Sequence, residues 1–237
     1  MSTLAEYAGA CLNLALSAHQ LGQFEALSDM LLDWNQRMNL TSITAPEDIV
    51  VKHFLDSLTL TTVVTRFDGL RLIDVGTGAG FPGLALAIAF PALEVTLLDS
   101  TAKKLRFIEA VGEALQLGNI RTLHARAEDA GRDKSHRACY DIAVARAVAR
   151  LPALVEYLLP LVKPTGQAIA MQGMTAYEDA NSAARAIEAL GGELFTIEEV
   201  LLPALDNPRY LIVIDKIKKT PRQYPRQPGR PTRDPIQ

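Results

Sequence analysis

Apolar residues recur along this chain in two rhythms. Over residues 1 to about 65 the period is helical, with Leu12, Leu16, Leu21, Phe24, Leu27, Leu31 and Trp34 mostly on one face. Gly22 is expected to divide that stretch into two helices. A third follows Pro46 through Val50, Phe54, Leu55 and Leu58. Beyond it, short apolar runs take over. Leu72, Ile73 and Val75 lack the alternation of a half-exposed strand and suit a parallel sheet covered on both faces. Runs at 94–98, 120–124, 140–145 and 167–171 predict further strands, with amphipathic helical stretches between them. Two last strands, at 193–202 and 209–215, follow one another without a helix. The expected fold class is α/β: a doubly wound, Rossmann-like sheet, mostly parallel with an antiparallel last strand, behind an N-terminal helical extension. The expected units are 1–65, the helical extension; 66–216, the sheet domain; and 217–237, a tail.

The first strand runs into Asp74-Val75-Gly76-Thr77-Gly78-Ala79-Gly80-Phe81-Pro82-Gly83. A strand, a glycine-rich turn and a helix start make a nucleotide-type binding unit. A pyrophosphate-binding G-x-G-x-x-G needs a third glycine at position 81, where Phe81 stands. Asp74 would also repel a pyrophosphate, but can face an ammonium group through water or a loop N–H. The spelling is similar to the first motif of S-adenosylmethionine-dependent methyltransferases, and it counts against a nicotinamide-dependent oxidoreductase. Asp99 ends the second strand 23 residues after Gly76, near the ~20-residue spacing of a ribose-binding carboxylate. Ser100 can cap the next helix itself, which leaves Asp99 for the ribose. Gly118 is expected to end that helix. Ala127 and Glu128 follow the third strand, at the edge where open α/β sheets bind ligands. Arg146 ends the fourth strand at the same edge. His53 and Asp56 share a helix face, and a surface pair or a helix-packing contact is the expected role.

Composition narrows the class. Cys11 and Cys139 are the only cysteines, so neither a disulfide framework nor a four-cysteine zinc site is expected, and no metal is assigned. No apolar run reaches the ~18 residues of a membrane span, and no basic-then-apolar leader opens the chain; a cytoplasmic protein is expected. The net charge of −3 hides an asymmetry. From Lys216 onward, seven basic residues face Asp234, about +6 against about −9 elsewhere. Five prolines and few aliphatic side chains predict a tail that is mobile when free. Arg222, Tyr224, Arg226 and Arg230 are its candidate RNA contacts, the arginines for phosphates and the tyrosine for a base.

Taken together, these residues resemble the ribosomal RNA small subunit methyltransferase G family (RsmG, or glucose-inhibited division protein B). The likeness rests on Trp34-Asn35 with Asn39-Leu40-Thr41, His53 with Asp56-Ser57, and the 74–83 motif. Leu97-Leu98-Asp99-Ser100, Arg126-Ala127-Glu128, Arg146-Ala147 and the Pro221–Gly229 tail continue it in order. The resemblance implies methyl transfer from S-adenosyl-L-methionine to N7 of one guanine in 16S ribosomal RNA, with no membrane or DNA partner. It places the cofactor against Gly76, Gly78, Phe81, the Asp99-Ser100-Thr101 turn, Ala127, Glu128 and Arg146. Arg146 is the residue expected to position the reactants; a ring nitrogen with a free lone pair needs no general base. Gln172 stands where the family usually carries lysine. That departure leaves open a ribosomal RNA-binding protein that kept the fold without turnover.

Overall fold

The computed structural model describes residues 1–236. Two helices open it, α1 (Ser2–Leu12) and α2 (Ala18–Met38). They divide at 13–17, where Asn13 takes a left-handed conformation, rather than at the expected Gly22, which lies inside α2. The true signal is a reciprocal cap. Ser17 Oγ accepts from Gln20 N, while Gln20 Oε1 accepts from Ser17 N. The third helical stretch is composite: α3 (Pro46–Ile49), a π-helical segment (Val50–Leu55), α4 (Asp56–Leu58) and a 3-10 turn (Thr59–Thr62).

Strands and helices then alternate as expected: β1 (Arg71–Val75), α5 (Gly83–Ala89), β2 (Glu94–Asp99), α6 (Ala102–Ala114), β3 (Ile120–His124) and α7 (Ala127–Ala130). After them come β4 (Tyr140–Arg146), α8 (Leu151–Leu158), β5 (Val162–Gln172), α9 (Ala176–Ala189), β6 (Gly192–Val200) and β7 (Arg209–Lys216). Helix α6 ends before Gly118, because Gln116 takes the left-handed turn at φ 55°.

The seven strands form one sheet in the order β3-β2-β1-β4-β5-β7-β6. All neighbours among β1 to β5 pair in parallel, and β7 runs antiparallel to both β5 and β6. The last strand in sequence is thus inserted beside β5. Side chains alternate along β1 between two cores. Leu72 joins the core under the N-terminal helices, α5 and α6; Ile73 and Val75 join the one under α8 and α9. Gln20 Nε2 donates to the carbonyls of Ile88 and Ala89 at the end of α5, and Gln23 Nε2 to Leu115 O after α6. These bonds satisfy helix-end carbonyls and fasten the N-terminal helices to the layer below. No described helix is long and apolar enough to cross a membrane.

The tail departs from expectation. It is docked, not mobile. Arg137 donates to the carbonyls of Gly131 and Tyr224 (both 2.7 Å) and to that of Thr220 (2.8 Å). Arg226 forms a two-pronged ion pair with the fully buried Glu156 of α8. Tyr157 and Thr232 share a 2.7 Å hydroxyl bond, and a last short helix, α10 (Arg230–Arg233), buries Pro231. Tyr224 packs against the second core. Arg226 is therefore corrected from an RNA contact to a tail anchor, because its guanidinium is bound to a buried carboxylate, while Tyr224 is half-buried with one side of its ring against the core. Arg222 and Arg230 remain exposed. Lys216 also leaves the set of free basic groups. It is buried, and its ammonium donates to Leu190 O and Thr220 Oγ1. Burial and then Arg137 pull its pKa down to about 7.

Candidate active site

The glycine turn after β1 is built around positive φ angles: 70° at Gly76, 62° at Gly78 and 92° at Gly80. A Cβ at Gly80 would lie 2.3 Å from Leu84 Cδ1, and one at Gly76 would lie 2.7 Å from Val148 Cγ2. Only glycine satisfies both the backbone and the space there. Beneath the turn, Asp74 Oδ2 accepts from Thr77 Oγ1 (2.6 Å) and from the N–H of Gly83 at the start of α5 (2.8 Å). Its other oxygen is buried with no hydrogen-bond partner. Burial pushes the Asp74 carboxyl up to about 6 against the pull of those two bonds. Phe81 is buried and stacks on His53, with ring centroids 4.6 Å apart at 5°.

The neighbouring strand ends supply the other expected groups. Asp99 Oδ2 accepts from Gly78 N at 3.1 Å, and Oδ1 from Thr101 N at 2.8 Å. Its carboxylate thereby ties β2 to the glycine turn while keeping unused acceptor capacity. Ser100 and Thr101 are exposed beside it, and the side chain of neither caps α6. Ala127 and Glu128 open α7, a short helix where the sequence suggests a loop. Glu128 Oε1 accepts from Gly229 N at 2.8 Å, so the tail reaches this edge of the sheet.

A cavity of about 620 Å³ opens beside the turn, under Leu40–Ile43 and beside the ends of β5 and β7. Arg146 stands in it and donates to Asp56 Oδ2 (2.5 Å), Lys52 O (3.1 Å) and His53 Nδ1 (3.1 Å). Arg209 Nε donates to the other Asp56 oxygen at 3.0 Å. A guanidinium only donates, so His53 Nδ1 is the acceptor and Nε2 carries the proton toward Thr41 Oγ1, 2.9 Å away. Burial, and secondarily Arg146, pull His53 down to about 3, which keeps the ring neutral. Lys52, Lys104, Arg146 and Arg209 share the cavity wall with Asp56, but Lys52 pairs with Asp48 at 2.8 Å and Lys104 stands 3.6 Å from Asp99, so the local positive surplus is small.

His53 and Asp56 therefore are not the surface pair or helix-packing contact expected of them. The π-helical segment carries His53, and the start of α4 Asp56, to the cavity, where Asp56 holds two arginines. Arg209 and Tyr210 are site residues that the sequence does not announce. Asp56 and Arg209 lie 153 residues apart, and local spacing carries no signal of that pairing. Gln172 does line the cavity. The structure brings Gly76, Gly78, Phe81 and Arg146 to the cavity wall, while Asp99, Ser100, Thr101, Ala127 and Glu128 lie along the adjoining edge of the sheet.

The model of the family "rRNA small subunit methyltransferase G" matches residues 20–205. Ribosomal RNA small subunit methyltransferase G of Acetivibrio thermocellus is 49% identical over 93% of this chain and 90% of its own. That of Bacillus subtilis is 47% identical over 94% of each. Among solved structures, a mutant 16S rRNA (adenine(1408)-N(1))-methyltransferase with cosubstrate SAM from Catenulisporales acidiphilia matches at TM-score 0.53 and 16% identity, over 65% of this chain and 88% of that one. TrmN from Thermus thermophilus matches at TM-score 0.54 and 21% identity, over 71% and 53%. At such identities the structural likeness concerns the fold alone.

Proposed function

The chain belongs to the rRNA small subunit methyltransferase G family, and from that membership we propose that it methylates N7 of one guanine in 16S ribosomal RNA, using S-adenosylmethionine. The supporting observation is the state of the candidate bases around the cavity. His53 is neutral with both ring nitrogens engaged, and each Asp56 oxygen accepts from a guanidinium. Burial and then a hydrogen bond with Glu199 hold the Tyr210 phenol above its usual range, so it stays protonated. A nucleophile that must lose a proton would need one of these groups free. Guanine N7 has an in-plane lone pair and no proton to lose. Alignment alone can then supply the rate.

The residues present fit the cofactor. The glycine turn takes positive φ at Gly76, Gly78 and Gly80 beside the cavity, Asp74 keeps an unpaired buried oxygen, and Asp99 holds a carboxylate with spare acceptor capacity at the sheet edge. In this reading Gly76 and Gly78 lie against the cofactor, Asp99 with Ser100 and Thr101 holds its ribose, and Ala127 and Glu128 wall the adenine side. The bound cofactor supplies an electrophilic methyl on a sulfonium. Arg146, fixed by Asp56 and His53, positions the target nucleotide. The small positive surplus of the cavity wall draws the RNA phosphates, with Arg222 and Arg230 as secondary contacts on the tail.

The test is chemical. Purified protein, 16S RNA and cofactor are incubated, and the RNA is then treated with borohydride and aniline. N7-methylguanine is expected to yield a single scission. Methyl label incorporated without scission would place the reaction on another atom and overturn the N7 reading.

A further inference from the structure

Helix α7 is too short to hold its own shape. It has four residues, closed by bonds from Ala130 N to Arg126 O and from Gly131 N to Ala127 O, and an isolated turn of that length does not persist in water. Ala130 sets it against the core beneath. The tail covers it from outside. Glu128, in its first turn, is buried, and Oε1 accepts from Gly229 N at 2.8 Å. Gly229 presents that amide from a left-handed turn at φ 81°. Just past the helix, a Cβ added to Gly131 would lie 2.9 Å from Pro225 Cγ, so the Pro225 ring packs directly on it. Arg137 Nη1 donates to both Gly131 O and Tyr224 O at 2.7 Å, and Arg132 Nε donates to Pro225 O at 2.8 Å. The short helix is thus clamped by the tail at both ends. It begins three residues after His124, which pairs with Asp99 across β3 and β2 and donates from Nε2 to Ser100 O at 3.1 Å.

We propose that the docked tail is a working part of the cofactor site: Gly229, through its amide bond to Glu128, positions the Ala127-Glu128 turn against the adenine of S-adenosylmethionine. The inference rests on the cofactor placement given above. The tail engages the Glu128 carboxylate, so Glu128 acts on the cofactor through the shape of the turn and not through its charge. Gly229 and the Glu128 side chain are positioning groups that touch no reacting atom. With their bond broken, α7 samples open forms, and the apparent dissociation constant rises as the inverse of the competent fraction. A competent fraction of about one fifth raises it about fivefold.

The experiment titrates the full-length protein with S-adenosylmethionine in a calorimeter, without RNA, in variants that reach the bond from either side. Gly229→Val sets a β-branched residue at φ 81°, which its backbone resists, with no atom closer than 3.8 Å to the added Cβ. Gly229→Asn keeps a residue that tolerates the left-handed turn. Glu128→Ala removes the acceptor. Affinity is expected to fall about fivefold or more in Gly229→Val and in Glu128→Ala. Their combination should be at most about twofold worse than the weaker single variant, because both break one bond. Gly229→Asn should stay within about twofold of wild type. Thr232→Val, which removes the Tyr157 hydroxyl bond further along the tail, should leave affinity unchanged whatever it does to the thermal midpoint. Wild-type affinity in Gly229→Val or in Glu128→Ala would overturn the proposal. So would Gly229→Asn failing as badly as Gly229→Val, or losses that multiply in the double variant, which would give Glu128 its own contact with the cofactor. Affinity that tracks the thermal midpoint across all the variants would also overturn it, by making the tail a plain stabiliser. Failure of the cofactor placement shows separately, as wild-type protein that binds no S-adenosylmethionine or as Asp99→Ala with unchanged affinity.

Discussion

Replacing Arg226 by alanine tests the tail as structure. Arg226 reaches Glu156 through its backbone N–H (2.6 Å), Nε (3.0 and 3.1 Å) and Nη2 (2.7 Å), and Glu156 is fully buried. Alanine keeps the backbone donor and removes the guanidinium. The carboxylate is then left in the interior with one hydrogen bond and no counter-charge. Removing one member of a buried ion pair costs about 3–5 kcal/mol. The surviving backbone bond places the expected loss near the lower end, about 3 kcal/mol. At ~2–4 °C per kcal/mol for a chain of this size, the thermal midpoint should fall by about 6–12 °C. Thermal and urea unfolding at pH 8 measure it. The deficit should narrow on acidification, because burying a protonated carboxyl costs far less. Adding Glu156→Gln to Arg226→Ala should recover most of the loss at pH 8 for the same reason. A midpoint shift below about 2 °C, indifferent to pH, would be the behaviour of a solvent-screened surface pair and would refute the docking described above.

Other outcomes follow from the site. Arg146→Ala should lower kcat on ribosomal RNA at least about tenfold through lost positioning, yet fold, since Asp56 keeps Arg209; near-wild-type turnover would remove Arg146 from the site. Gly80→Ala should cost at least about 1–3 kcal/mol from its φ of 92° and the Leu84 clash. Gly9→Ala, inside α1 with nothing within 4 Å of its Cβ, should gain about 0.5–1 kcal/mol; denaturant midpoints check both. His53 has its folded pKa depressed to about 3 from 6.5. The unfolded chain therefore binds more protons in that window, and stability should fall as pH drops from 6.5 toward 3, at up to about 1.4 kcal/mol per pH unit. Asp74, raised to about 6, opposes this between about pH 6 and 4, since there the folded state binds the extra proton. His53→Gln should flatten or reverse the acid slope between pH 6.5 and 4, and equal slopes in the two proteins would show that the ring is not held neutral.

The parallel half of the sheet is legible because each strand is a short apolar run bounded by turn residues. The glycine spelling, Asp99 and Arg146 then point to the carboxyl edge of the sheet, where the cavity opens. The insertion of β7 beside β5 is not legible, since neither strand's own pattern names its neighbour. The docking of the tail is hidden for a physical reason. Its composition offers few apolar contacts, and it docks instead through carbonyls presented to Arg137 and through Glu156. One signal does exist: Glu156 is a lone charge inside the apolar run from Leu151 to Leu158, and a charge at such a position needs a partner. His53 and Asp56 show their spacing, but their meaning depends on Arg146 and Arg209, residues that come close only once the sheet has formed.

Asp56 is made early in the chain, Arg146 past its middle and Arg209 near its end. The ion-paired wall of the cavity is consequently a product of the whole polypeptide. Until β7 has emerged and slotted in beside β5, a growing chain has its glycine turn and Asp99 but lacks the Arg209 side of the Asp56 clamp and the Tyr210 side of the mouth. The glycine turn and Asp99, proposed above to hold the cofactor, thus precede in synthesis the residues that complete the cavity wall.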